Sequence, residues 1–273
     1  MSCFESCVKC LGLVPWASLI ALVICWAGTA LFCGTGHEAL TLSLKVLVDA
    51  KIPGFSQGTS NIDEVFQAFK YAIYGIAPFM FILTILLLVD GILATRAVKK
   101  EIEFSCKTNK CGICAGILYS VITYLTSVAW LLMSVFAGLP IYFFQVSNTQ
   151  CGIVLDQPSS NITGVCIDFV QAGLMPYQNA PENYGKLCGE DLKTVCDSND
   201  YTLTYQMFLI AFAGSCIVVL SLKHFLMALS ANFAYIKMSR KLADYQNTKY
   251  QEEMELNDII NTARSNERLT YKY

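Results

Sequence analysis

The sequence predicts an all-α membrane protein: a four-transmembrane-helix bundle with cytoplasmic termini and a disulfide-stapled second extracellular loop. Three observations carry the prediction. Four apolar runs are each long enough to cross a bilayer, which takes roughly 20 mostly apolar residues for about 30 Å of hydrocarbon. Lys and Arg gather beside particular ends of those runs. The 13 cysteines of the 273-residue chain fall into groups suited to different redox compartments.

The runs cover residues 13–33, 71–95, 113–144 and 205–229. A chain that is 55% hydrophobic is too apolar for an ordinary soluble domain. The first run exceeds the apolar core of a signal peptide, which is about 7–15 residues long. Bulky Phe32 before Cys33 suits no small-residue cleavage site, so this run reads as a retained span. The third run is long enough to tilt or to project beyond the lipid. The segments left over are an N-terminus at 1–12, loops at 34–70, 96–112 and 145–204, and a tail at 230–273.

Orientation follows from the bias of Lys and Arg to the cytoplasmic side. Loop 96–112 carries Arg96, Lys99, Lys100, Lys107 and Lys110, and the tail carries Lys237, Arg240 and Lys241. Loop 145–204 has only Lys186 and Lys193 against seven acids. Both termini and loop 96–112 therefore face the cytoplasm, and the two longer loops face outward. Loop 34–70, with three lysines, is the weakest member of that pattern. The sequon at Asn161 agrees, because N-glycosylation needs exposure in the secretory lumen.

Cys151, Cys166, Cys188 and Cys196 share the outer loop 145–204, where disulfides form. Four cysteines allow three pairings, and spacing alone selects none of them. A short helix is expected in "GEDLKTVC", with Leu192 and Val195 at helical spacing. Inside, Cys3, Cys7, Cys10, Cys106, Cys111 and Cys114 sit in Lys-containing segments beside apolar runs, a usual setting for S-palmitoylation. Cys7-x-x-Cys10 and Cys111-x-x-Cys114 lack the context of a zinc knuckle, and no metal site is expected. Cys25 and Cys216 lie mid-span and read as packing residues.

Asp90, Lys223 and His224 lie near the inner ends of the second and fourth runs. Ionisable groups there demand a partner or an escape to the headgroups, and an Asp90–Lys223 pair is the sharper of the two readings. The spans otherwise hold few charges, so a channel or transporter has little to work with. No nucleophile–base pair, P-loop or HExxH motif is present. No enzyme activity, cofactor or nucleic-acid partner is therefore expected. Small residues at Gly28, Ala30, Ala211, Ala213 and Gly214 suit close helix contact. In the tail, "YQEEMELNDII" reads as an acidic helix former with Met254, Leu256, Ile259 and Ile260 apolar.

The strings "CFESCVKCLGLVPWASLIALV", "AGTALFCGTGHEAL", "FKYAIYGIA", "ITYLTSVAWLL", "AGLPIYFF" and "HFLMALSANFAYIK" follow one another through nearly the whole chain. In that order they resemble the proteolipid protein family. The short middle loop and the tail "QEEMELNDIINTARSNERL" resemble its neuronal glycoprotein branch rather than myelin proteolipid itself. The resemblance implies palmitoylation at Cys3, Cys7 and Cys10. It also implies nested bridges, Cys151 with Cys196 and Cys166 with Cys188. Thr35, Ser6 and Ser2 depart from the family pattern, and Lys223 stands at a place usually apolar.

The function the resemblance implies is that of a non-enzymatic plasma-membrane glycoprotein organising membrane and adhesion in neural cells, in neurite and filopodium outgrowth and neuronal differentiation. The alternatives are a structural proteolipid of glial or myelin membrane apposition, and a channel or transporter. Expected partners are membrane lipids of cholesterol- and sphingolipid-rich domains, another copy of the chain, an extracellular adhesion partner, and a cytoskeletal or trafficking partner of the tail.

Overall fold

A computed structural model describes residues 15–53, 55–99, 110–158, 162–173, 175 and 183–270. In chain order the elements are α1 (Trp16–Asp49), α2 (Phe55–Lys99), α3 (Lys110–Asp156), β1 (Cys166–Asp168), β2 (Lys186–Cys188), α4 (Gly189–Cys196) and α5 (Asn199–Thr270). Parts of α1, α2, α3 and α5 are long and apolar enough to cross a membrane. Each closes its own backbone hydrogen bonds, the condition a span must meet where no water can do so.

The helices outrun the apolar runs that announced them. Segment 34–70, expected as a loop, is almost entirely helical: α1 continues to Asp49 and α2 begins at Phe55. Hydropathy measures how long a segment stays apolar, not how long it stays helical. α1 ends where Lys51 takes a positive φ of 47°, the left-handed conformation that often closes a helix. Pro53 follows, a residue common just past a helix end. Just before α5, Ser198 Oγ accepts from the Tyr201 backbone N–H at 3.3 Å, the role of an N-cap. Pro78 lies inside α2 and Pro140 inside α3, a lapse that spans tolerate because neighbouring groups satisfy the freed carbonyl.

The chain divides into two compact units. One comprises residues 17–88 and 122–225. Here α1 and α5 approach so closely that a Cβ on Gly28 would lie 2.9 Å from the Gly214 oxygen. A Cβ on Gly214 would lie 2.8 Å from the Phe32 nitrogen. In lipid, where hydrophobicity does not favour one helix over another, such contact supplies the packing attraction. Ser221 adds a 2.6 Å bond to the Ala21 carbonyl. The Trp26 indole stacks on Phe81 at 4.8 Å and donates to Thr84 at 2.8 Å, joining α1 to α2. Phe32 and Trp130 form a T-shaped pair with ring centroids 5.1 Å apart, which joins α1 to α3.

The other unit comprises residues 1–16, 89–121 and 226–273. Within it Asp90 and Ala94 are buried on α2, and Leu229 and Ile236 on α5. From Asp244 to Thr262 every side chain of α5 is exposed.

Candidate functional site: a disulfide-stapled cap

Between α3 and α5 the chain folds into a cap built on two bridges. Cys151, on the last turns of α3, is bonded to Cys196 at the end of α4. Cys166 is bonded to Cys188, and these two residues stand opposite each other in the antiparallel β1–β2 pair. One bridge lies inside the other. A three-residue, two-stranded ribbon is marginal by itself. The inner bridge locks its register, and the outer one ties α4 back to α3.

The turns follow from local chemistry. Asp168 Oδ1 accepts from the backbone N–H groups of Val170 at 2.9 Å and Gln171 at 3.0 Å, an Asx turn that ends β1. Gly185 has φ 70°, and a Cβ there would meet Val170 Cγ2 at 2.6 Å. Only glycine fits both constraints. The same Gly185 donates its N–H to the Pro53 carbonyl at 2.9 Å. The short connection between α1 and α2 is thereby sewn to the cap.

One apolar cluster runs through all these pieces. It contains Ala50 and Ile52 after α1, Phe144 and Val154 from α3, Ile162, Phe169 and Leu187 from the cap, Leu192 from α4 and Tyr201 from α5. Phe144 is its hub, with Phe143, Tyr201, Tyr205 and Phe208 rings 5.1–6.1 Å away. Burial pushes the Tyr201 phenol up to about 12, because the phenolate would lose its water. At the rim, Lys45 Nζ lies 2.6 Å from Asp200 Oδ2, joining α1 to the first turn of α5. That carboxylate, first by hydrogen bond and then by charge, raises the Lys45 pKa above its ordinary value.

The surface the cap presents is acidic and polar. Glu190, Asp191, Thr194 and Asp197 are exposed on and just after α4, while Leu192 between them is fully buried. The arrangement offers a rigid face with fixed charges. Among the described residues no group of three or more His, Cys, Asp or Glu is placed to hold a metal.

The other sequence-derived sites are distributed elsewhere. Cys3, Cys7, Cys10, Cys106 and Asn161 lie outside the described residues, and of the Cys111 side chain nothing is described. Cys114 is exposed on α3. Asp90 is buried, whereas Lys223 and His224 are exposed on α5. Sequence reasoning missed Ala50, Ile52 and the Pro53 carbonyl as parts of the cap, and the Lys45–Asp200 pair. The alternation of apolar residues in "LSLKVLV" before Ala50 was the available signal; the ion pair, 155 residues apart in sequence, had none.

Comparison with known proteins places these features in a wider group. Residues 4–241 match the family pattern described as myelin proteolipid protein (PLP or lipophilin). The chain is 41% identical to neuronal membrane glycoprotein M6-b of Mus musculus, over 98% of this chain and 80% of that relative. It is 38% identical to proteolipid protein DM beta of Squalus acanthias and 38% identical to neuronal membrane glycoprotein M6-a of Homo sapiens. Both of those matches cover 98% of this chain and 94% of the relative. No solved structure matches. Since the likeness runs through all four apolar helices and the cap between the last two, the chain belongs to the myelin proteolipid protein family and is a multi-pass membrane protein.

Proposed function

We propose that this protein is a non-enzymatic organiser of the plasma membrane and of adhesion in neural cells, acting in neurite and filopodium outgrowth. Both termini lie in the cytoplasm, and the cap faces outward. The observation that carries the reading is the cap itself: two bridges and a continuous apolar core hold an exposed acidic face rigid on the ends of the helices. A rigid face loses little entropy when a partner docks. The bridges also fit an oxidising exterior, as does the sequon at Asn161. The names of the relatives, neuronal membrane glycoproteins among them, support the neural setting.

Palmitoylation of Cys3, Cys7 and Cys10 would tie the N-terminus to the inner leaflet at about 0.8 kcal/mol per buried methylene. A protein with four spans needs no such anchor, so the acyl chains act on lateral sorting into sterol- and sphingolipid-rich membrane. An extracellular adhesion partner at the cap and a cytoskeletal or trafficking partner at the tail complete the reading.

The test is expression in a neuron-like line of the wild type, a Cys166→Ser/Cys188→Ser variant and a variant lacking the three N-terminal thiols. Fewer surface protrusions are expected from both variants at matched surface levels. Equal protrusion numbers from all three forms sink the reading.

A further inference from the structure

The exposed part of α5 carries an apolar stripe with no cover among the described residues. Leu242 is 58% exposed, Tyr245 68%, Leu256 58% and Ile259 65%. With Lys249 and Glu252, these residues repeat at alternating steps of three and four, the spacing of a coiled-coil seam. The seam reads Leu242, Tyr245, Lys249, Glu252, Leu256, Ile259. Its order is nearly symmetric about the midpoint between Lys249 and Glu252: apolar pairs outside, one cation and one anion inside.

That symmetry selects a partner and a direction. In a parallel, in-register pair, Lys249 would face Lys249 and Glu252 would face Glu252, two like-charge layers inside the seam. In an antiparallel pair, Leu242 faces Ile259 of the second copy, Tyr245 faces its Leu256, and Lys249 faces its Glu252. Every layer is then complementary, and the two charged layers fix the register as a buried polar residue does in coiled coils. In the single helix Lys249 makes an exposed contact with Glu253 at 4.0 Å, which a partner can replace. We propose that this segment binds the same segment of a second copy, antiparallel.

Two copies in one membrane send their tails out of the same face in the same direction. Antiparallel pairing therefore joins copies in two facing membranes. From Gly214 to Thr270 the helix contains neither Gly nor Pro after its first residue. At 1.5 Å per residue, this register holds the two Leu229 positions about 65 Å apart along the paired helices.

The test uses the full chain in liposomes, with vesicle clustering followed by light scattering and membrane spacing by electron cryomicroscopy. Lys249→Glu leaves four anions at the centre of the seam, two in each charged layer, and Glu252→Lys leaves four cations. Each variant alone is expected to cluster vesicles about tenfold less than wild type, since like charges in an interface repel strongly. Mixing the two populations restores every complementary layer, so clustering returns; this also shows that both variants are folded. Clustering insensitive to either single swap overturns the proposal, as does a mixture no better than its components. So does a wild type that pairs only within one vesicle.

Discussion

Residues 199–225 and 226–270 belong to one helix, yet they are held by different forces. The first part is packed: Gly214 lies against α1, Tyr201 joins the cap core, and Leu222 and Val218 are fully buried. Along the second part burial ends, and every side chain from Asp244 to Thr262 faces solvent. Its helix rests on good formers such as Glu252, Glu253, Met254, Glu255 and Leu256. Hydroxyl bonds from Thr248 to the Asp244 carbonyl and from Thr262 to the Asp258 carbonyl turn back on the helix itself. Identical secondary structure thus conceals one segment fixed by tertiary contacts and another, from Asp244 onward, fixed by local preference.

The disulfides give the largest expected contrast. Restricting the unfolded chain predicts about 4 kcal/mol from the outer bridge, with a sequence separation of 45, under the loop-entropy relation. The inner bridge, with a separation of 22, is worth about 0.6 kcal/mol less by loop length. Cys151→Ser/Cys196→Ser should therefore lower the cap's denaturation midpoint more than Cys166→Ser/Cys188→Ser. The reverse order, measured by near-UV circular dichroism, would show that locking the β1–β2 ribbon matters more than loop length. Leu192→Ala comes next. Leu192 is fully buried in the cap cluster, and its truncation should cost roughly 3 kcal/mol.

How much of this was legible depends on which interaction holds each element. The four spans were plain, because apolar length is a one-dimensional signal. The α4 helix was plain too, since Leu192 sits one residue past two exposed acids and three before Val195. The joint between the halves of the cap was not. The bond from Gly185 to the Pro53 carbonyl is a backbone contact between residues 132 apart in sequence, and no side chain advertises it. The extent of α1 was hidden differently: beyond Cys33 the residues alternate in polarity, so hydropathy falls although the helix does not stop.

Alkaline pH separates the two parts of α5 by a smaller effect. An ordinary tyrosine ionises near 10, whereas folded Tyr201 does so at about 12. Above pH 10 the unfolded chain has already lost that proton while the folded chain retains it, so stability falls as pH rises from about 10 to 12. The Lys45 pKa is also raised. Its contribution is complete below the unfolded value and is lost as pH rises through the folded one, giving the same sign. The cap should melt earlier above pH 10. Tyr201→Phe should flatten that slope, and an unchanged slope would remove Tyr201 as its origin.

The smallest expected effect lies in the tail. Leu256→Ala replaces a residue that is 58% exposed with the best helix former, so the fold should change by less than about 0.5 kcal/mol. Leu256→Pro should cost about 3 kcal/mol of local helix. Even so, the melting of the cap should not move, because no cap residue lies in the segment it breaks. Hydrogen exchange resolves the two regions within one sample: the Pro variant should lose protection around residue 256 and keep it at Tyr201 and Leu222. Loss of protection at both places would mean that α5 transmits stability along its length. The contrast between a packed half and a self-supporting half would then be wrong.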